Sequence, residues 1–139
     1  MDIFDVIGPI MIGPSSSHTA GAARIGRVAR RLLGAEVEWA SIGLYGSFAS
    51  TYQGHGTDRA IVAGLMDMGV DDIRIRESLS LAKQAGMHFE FYTIDALRDA
   101  HPNTAVILAR GAGTQVEIQA ASVGGGAIRV ERLDGIRVS

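Results

Sequence analysis

The chain contains no cysteine. That excludes disulfides, thiol nucleophiles and thiolate ligation of any metal by this chain alone. Cytosolic proteins manage without disulfides, so the absence fits a cytoplasmic protein. No basic segment followed by an apolar stretch opens the sequence, so no secretory signal is expected. No apolar run approaches the length needed to span a bilayer, so no membrane association is expected. Net charge is −2, with no block of like charges, which argues against a nucleic-acid partner. The 4 histidines are scattered, and neither a His-x-x-x-His pair nor a carboxylate cluster occurs, so no metal site is expected. There is no internal repeat.

What is present is an ordinary globular composition, 47% hydrophobic and 20% charged. The 139 residues fit a single domain over 1–139. A domain of this size buries roughly two-thirds of the surface its unfolded chain exposes. The 18 glycines sit singly or in short clusters between periodic segments, a pattern of turns and close backbone approaches.

Ile25, Val28, Ala29, Leu32 and Leu33 recur at helical spacing after Ser15-Ser16-Ser17-His18-Thr19, with Arg24, Arg27 and Arg31 on another face and Gly34 at the C-cap. Glu38–Tyr45 reads as a strand and Gly46–Gly56 as a polar loop. A second helix starts near Thr57-Asp58, with Ile61, Val62, Leu65 and Met66 at core spacing and Gly69 closing it. A short strand is expected at Ile73–Ile75, a helix from Leu79 to Gln84 capped by Ser78 and stopped by Gly86, and a strand at Met87–Thr93. Thr104–Arg110 and Gln115–Ala121 flank a hairpin loop at Gly111-Ala112-Gly113, and Ala127–Arg132 and Ile136–Val138 flank Leu133-Asp134-Gly135. These elements predict an α+β or α/β domain with helices packed on a mixed sheet.

The segment from Gly13 to Gly21 places Ser15, Ser16, Ser17, His18 and Thr19 at a helix N-terminus. Free backbone N–H groups and a partial positive charge make such an end a binder of carboxylate or phosphate. No acidic residue occurs between Ile7 and Ala35 to quench it, and the capping-box glutamate is missing. The alternative is an ordinary serine N-cap followed by solvated turn residues. His18 titrates near neutral pH and can take or give a proton. In Gly54-His55-Gly56-Thr57-Asp58 the glycines clear space around His55, just before a helix start capped by Thr57 or Asp58. The positive helix end favours a neutral imidazole, as in the known case of triosephosphate isomerase, and a general base must be neutral. A solvated loop histidine is the alternative. His101-Pro102-Asn103-Thr104 is either a turn before a strand or part of a site. Gly124-Gly125-Gly126 is either a β-bulge or a place where a ligand nears the backbone. His88 heads a strand and reads as structural, and the arginine stripe is either solvated or docks an acidic partner.

Five of these segments together, Ile12–Gly21, Tyr45–Ala49, Gly54–Asp58, His101–Thr104 and Ser122–Gly126, resemble the β subunits of iron–sulfur-dependent L-serine dehydratases, in order and at compatible spacing. The resemblance implies a lyase of serine degradation that converts L-serine to pyruvate and ammonia. It implies a [4Fe–4S] cluster held by cysteines of a partner α subunit and none bound by this chain alone, in a homo- or hetero-oligomer. It also implies a fold similar to the allosteric substrate-binding domain of some phosphoglycerate dehydrogenases. Two-chain β subunits continue into a C-terminal ACT domain, and the sequence stops at Ser139, where that module would begin, so the expectation is a β domain with the ACT domain absent.

On this resemblance an iron of the partner's cluster acts as Lewis acid on the serine hydroxyl. His55 takes the Cα proton and His18 orients substrate or moves protons. Ser15, Ser16, Ser17 and Thr19 hold the carboxylate, with Gly54, Thr57 and Asp58 beside them and Asn103, Gly124 and Gly125 as further candidates. A non-catalytic domain binding serine or another small anion competes with this reading, and a purely structural assembly subunit is a third class.

Overall fold

The structure, a computed structural model, describes residues 17–50 and 56–137. Helix α1 (Ser17–Leu33) leads into strand β1 (Trp39–Gly46) and then a helical turn over residues 47–50. Helix α2 (Thr57–Leu65), a 3-10 turn (Ile73–Glu77) and helix α3 (Ser78–Gln84) follow. The rest is β2 (His88–Ile94), β3 (Asn103–Gly111), β4 (Thr114–Gly124), β5 (Ala127–Leu133) and β6 (Ile136–Arg137). The strands form one mixed sheet in the order β2-β1-β3-β4-β5-β6. β1 and β2 are parallel, joined across the helical segment, and the other pairs are antiparallel.

Alternation along the strands decides which face is buried. Ile42 pairs with Ile107 and Ile107 with Ile118, forming a row of fully buried side chains. Ala40, Ala109 and Val116 form the next row, and Leu44, Ala105 and Ala120 the one after. Ile25, Ala29 and Leu33 of α1, Ile61 and Leu65 of α2, Phe48 and Ala82 close the same core. The β3–β4 and β5–β6 hairpins turn in two residues at positive φ, Ala112-Gly113 and Asp134-Gly135, the geometry that matches strand twist.

Helices α1 and α2 run in the same direction at close range. A side chain on Gly64 would meet the Ala23 carbonyl oxygen, and one on Gly26 would meet that of Ile61. Further along both helices, Arg30 Nη1 donates to Leu65 O at 3.3 Å, and Arg27 Nε and Arg31 Nε donate to Asp67 Oδ1 at 3.0 and 2.9 Å.

Several expectations need correction. Ile73–Ile75 is not a strand but part of the 3-10 turn, because Asp72 caps it, accepting from Arg74 N at 2.9 Å. The expected loop Gly46–Gly56 contains the helical turn, anchored by fully buried Phe48. Ser78 does not cap α3. It is the first helical residue, and its hydroxyl donates to Arg59 O at 2.6 Å, tying α3 to α2. Leu32 is 47% exposed, outside the apolar stripe. His88 is exposed at the head of β2. Val138 lies outside the described residues.

Candidate functional site

One end of the sheet gathers most of the described site residues. Gly46 closes β1 opposite Asn103, which opens β3. Ser122, near the end of β4, lies beside Asn103, whose Nδ2 donates to Ser122 O at 3.5 Å. The first turns of α1 cover the same place: a side chain on Gly21 would collide with the Ser122 hydroxyl. Gly124 pairs with Ala127, so Gly125 and Gly126 form the tight turn into β5, both at positive φ. The register shift between Ser122 and Gly124 is a bulge at Val123. A side chain on Gly126 would lie 3.6 Å from the Ala20 methyl, so the turn sits over the start of α1. Because α2 runs with α1, its N-terminus points to this end as well.

The two helix starts differ in charge: Asp58 lies in the first turn of α2. The first turn of α1 carries no acid. The N-cap of α2 is Gly56, at φ 87, and no side chain caps it. This corrects the expectation that Thr57 or Asp58 caps α2. The left-handed entry suits glycine, and Thr57 and Asp58 fall inside the first turn. Asp58 Oδ1 accepts from Arg59 N at 2.7 Å. The acid-free start of α1 keeps its partial positive charge, which an anion relieves.

Three buried side-chain oxygens among the described residues have no hydrogen-bond partner: Thr57 Oγ1, Asn103 Oδ1 and Ser122 Oγ. Thr57 and Ser122 are each 1% exposed. A buried polar atom left unpaired costs on the order of 1–3 kcal/mol. Two of the three neighbour each other at the sheet end, and the third is in the first turn of α2. Thr19, also buried, lies in the first turn of α1.

Ser17 and His18 open α1. Ser15, Ser16, Gly54 and His55 lie outside the described residues. Thus Thr19, Asn103, Gly124 and Gly125 share one end of the sheet, toward which Thr57 and Asp58 open α2. His101-Pro102 is a turn before β3, with His101 Nδ1 accepting from Asn103 N at 3.0 Å. The Ser122 side chain is a site group beyond those expected from the sequence. The signal was available as a serine shortly before three glycines. Arg27 and Arg31 lie on a solvated face, as one of the two readings expected, and both hold Asp67 there.

Among the described residues no group of three His, Cys, Asp or Glu side chains could hold a metal ion. With no cysteine in the sequence, the donor set of this chain does not fit an iron–sulfur cluster. Among the described residues no helix is long and apolar enough to cross a membrane.

The chain is similar to a protein named "Probable L-serine dehydratase, beta chain" of Bacillus subtilis (strain 168), 51% identical over 136 residues, 98% of this chain and 61% of that protein. It is 43% identical over 136 residues to the "L-serine dehydratase, beta chain" of Peptoniphilus asaccharolyticus, covering 97% of this chain and 61% of the other. An "L-serine dehydratase" of Helicobacter pylori (strain J99 / ATCC 700824) is 33% identical over 150 residues, 91% of this chain and 33% of that protein. The chain spans less than two-thirds of the length of these curated relatives. The family model described as "Serine dehydratase beta chain" matches residues 1–132, and the chain belongs to that family.

Proposed function

We propose that this chain is the β component of an L-serine dehydratase, which eliminates water from L-serine to yield pyruvate and ammonia. The observation that carries the reading is the pair of buried, unpartnered oxygens of Asn103 and Ser122 at the sheet end, beside the acid-free first turn of α1, with a third such oxygen on Thr57 at the start of α2. Such a place suits a small molecule that brings both a carboxylate and hydrogen-bonding groups. The family membership supports serine as that molecule.

In this reading Ser15, Ser16, Ser17 and Thr19, with the N–H groups of α1 behind them, hold the substrate carboxylate. Charge moves toward the carboxylate when the Cα proton leaves, so the same donors stabilise the transition state. His55, before the positive end of α2, takes the Cα proton as a neutral imidazole. His18 orients the substrate or relays a proton. Gly54, Thr57 and Asp58 border the base, and Asn103, Gly124 and Gly125 close the opposite side. A [4Fe–4S] cluster would be held by cysteines of an α subunit and would supply Lewis-acid chemistry toward the serine hydroxyl. The aminoacrylate released then tautomerises and hydrolyses to pyruvate and ammonia. The protein works in the cytoplasm as a hetero-oligomer.

The same cradle suits a regulatory domain that binds serine or another small anion without reacting, because a helix start and unpaired polar atoms bind an anion whether or not it reacts. Anaerobic co-expression with an α-type chain, followed by a pyruvate assay with L-serine, separates the two. The expected result is activity that needs both chains and falls at least about a hundredfold in His55→Ala, within the range of a lost general base, with the far-UV spectrum unchanged. A His55→Ala enzyme keeping a tenth of wild-type turnover removes His55 as the base. An inactive, cluster-loaded complex whose β chain still binds serine decides for the regulatory domain.

A further inference from the structure

Glu131 is the single acid of β5, and it sits where the ladder breaks. Arg132 pairs with Gln119 and Val130 with Ala120, so Glu131 is the extra residue of a β-bulge. Its side chain lies on the sheet face away from α1 and is 12% exposed. Oε1 accepts from Gln119 Nε2 at 3.0 Å and faces the Thr104 hydroxyl at 3.3 Å. The one hydroxyl proton of Thr104 is shared between this carboxylate and His101 O, at 2.7 Å. Oε2 accepts from the His101 backbone N–H at 3.4 Å and lies 3.6 Å from Arg129 Nη2.

These bonds converge on residues 101–104, which cross from the open face to the site. Asn103 N donates to His101 Nδ1 at 3.0 Å, so the neutral ring carries its proton on Nε2. Ser47 N donates to Pro102 O at 2.7 Å, which fixes the segment to the end of β1. Thr104 faces Glu131, and Asn103, the next residue back, faces Ser122 and α1 by strand alternation. A bulge and a mostly buried carboxylate are both locally unfavourable, and an apolar residue at a regular ladder position would serve the fold as well. Breaking two local rules at one residue is what a functional constraint leaves behind.

On the reading of Asn103 as a substrate-site residue, we infer that Glu131 is its positioning residue, holding the 101–104 segment from the far face of the sheet so that the Asn103 amide oxygen stays aimed into the site. Glu131 touches no substrate. It acts through the His101 N–H and the Thr104 hydroxyl.

The test uses the assembled two-chain enzyme with Glu131→Ala, Glu131→Gln, Asn103→Ala and the double variant Glu131→Ala/Asn103→Ala. Glu131→Ala is expected to raise KM for serine roughly tenfold, as loss of an outer-shell partner does, with kcat changed less than about threefold. In the Asn103→Ala background the same change is expected to add nothing, because the residue it acts through is gone. Glu131→Gln keeps one acceptor oxygen for Gln119 or Thr104 but turns a donor toward the His101 N–H, so its KM falls between the two. Amide hydrogen exchange over 101–104, read in the same protein, is expected to quicken in Glu131→Ala. KM increases that multiply in the double variant, or unchanged exchange at 101–104, overturn the positioning role. A wild-type complex that does not turn over serine sinks the serine reading instead. Exchange then decides alone: quickening retains the Glu131 role, and no change removes it.

Discussion

The two ends of the α1–α2 pair are built on opposite principles. At the C-terminal end basic side chains gather. Arg30 donates to Leu65 O, Gly34 N donates to Arg30 O at 3.1 Å, and Arg27 and Arg31 both grip Asp67 just past α2. Basic residues in the last turn are where the macrodipole favours them. At the N-terminal end α1 has no acid in its first turn, α2 has no side-chain cap, and buried oxygens of Thr57, Asn103 and Ser122 lack partners. Basic side chains serve the C-terminal end, while the acid-free start of α1 lies beside the unpartnered oxygens of Asn103 and Ser122. The difference teaches that unsatisfied chemistry, rather than concavity alone, marks the site here. A groove of about 390 Å³ does exist on the open sheet face, lined by Tyr92, Val106, Glu117 and Arg132 among others, yet it adjoins neither helix start.

The contact that aligns the two ends is the sharpest place to break the comparison. A methyl on Gly64 would meet backbone atoms of Ala23, Gly26 and Arg27, none of which can rotate away. Gly64→Ala is therefore expected to destabilise the protein by about 1–3 kcal/mol, the usual range for overpacking, even though alanine is the better helix former. Urea unfolding checks it. An unchanged midpoint would mean that the helices separate freely and that their common direction does not hold the site together.

Thr57 sharpens the comparison from the other side. Its hydroxyl is buried and unpaired, so the fold gains nothing from it. Thr57→Val is expected to raise stability by about 1 kcal/mol, because the desolvated hydroxyl is replaced by a methyl of similar size. Serine binding is expected to weaken at the same time. Stability and affinity moving in opposite directions would identify an oxygen kept for a ligand. A loss of stability would show that the hydroxyl serves the fold.

Legibility in the sequence followed the range of the interactions. The helix of Ile25, Ala29 and Leu33 and the hairpins at Ala112-Gly113 and Asp134-Gly135 were readable because period and turn chemistry are local. The open start of α1 was readable too, since the missing acids are visible in the sequence itself. The 3-10 turn at Ile73–Glu77 escaped because the Asp72 cap outweighs a short β-branched run. The helical turn carrying Phe48 escaped because its described residues, 47–50, span only about one turn. Gly56 displaced the expected threonine or aspartate cap through its backbone angle, which composition does not reveal. The Glu131 network joins three strands through a bulge, and no spacing in the sequence announces a register shift.

The smallest expected effect lies at the C-terminal end. The Asp67 carboxyl is held below the usual carboxylate range by hydrogen bonds from Arg27 and then Arg31. A carboxyl whose folded pKa is depressed stabilises the fold above its unfolded value, near 4, and that stabilisation drains away as pH falls through the folded pKa. The side chain is 36% exposed, so solvent screening keeps the effect below about 1 kcal/mol. Asparagine tolerates the left-handed backbone that Asp67 adopts at φ 67, so Asp67→Asn isolates the charge. The variant is expected to be slightly less stable than wild type at pH 7, to match it in strong acid, and to leave KM for serine unchanged. Urea midpoints at the two pH values, beside one kinetic assay, check all three. A stability gap that persists in acid would assign the role of Asp67 to shape instead of charge, and an altered KM would mean that the two ends of the helix pair are coupled.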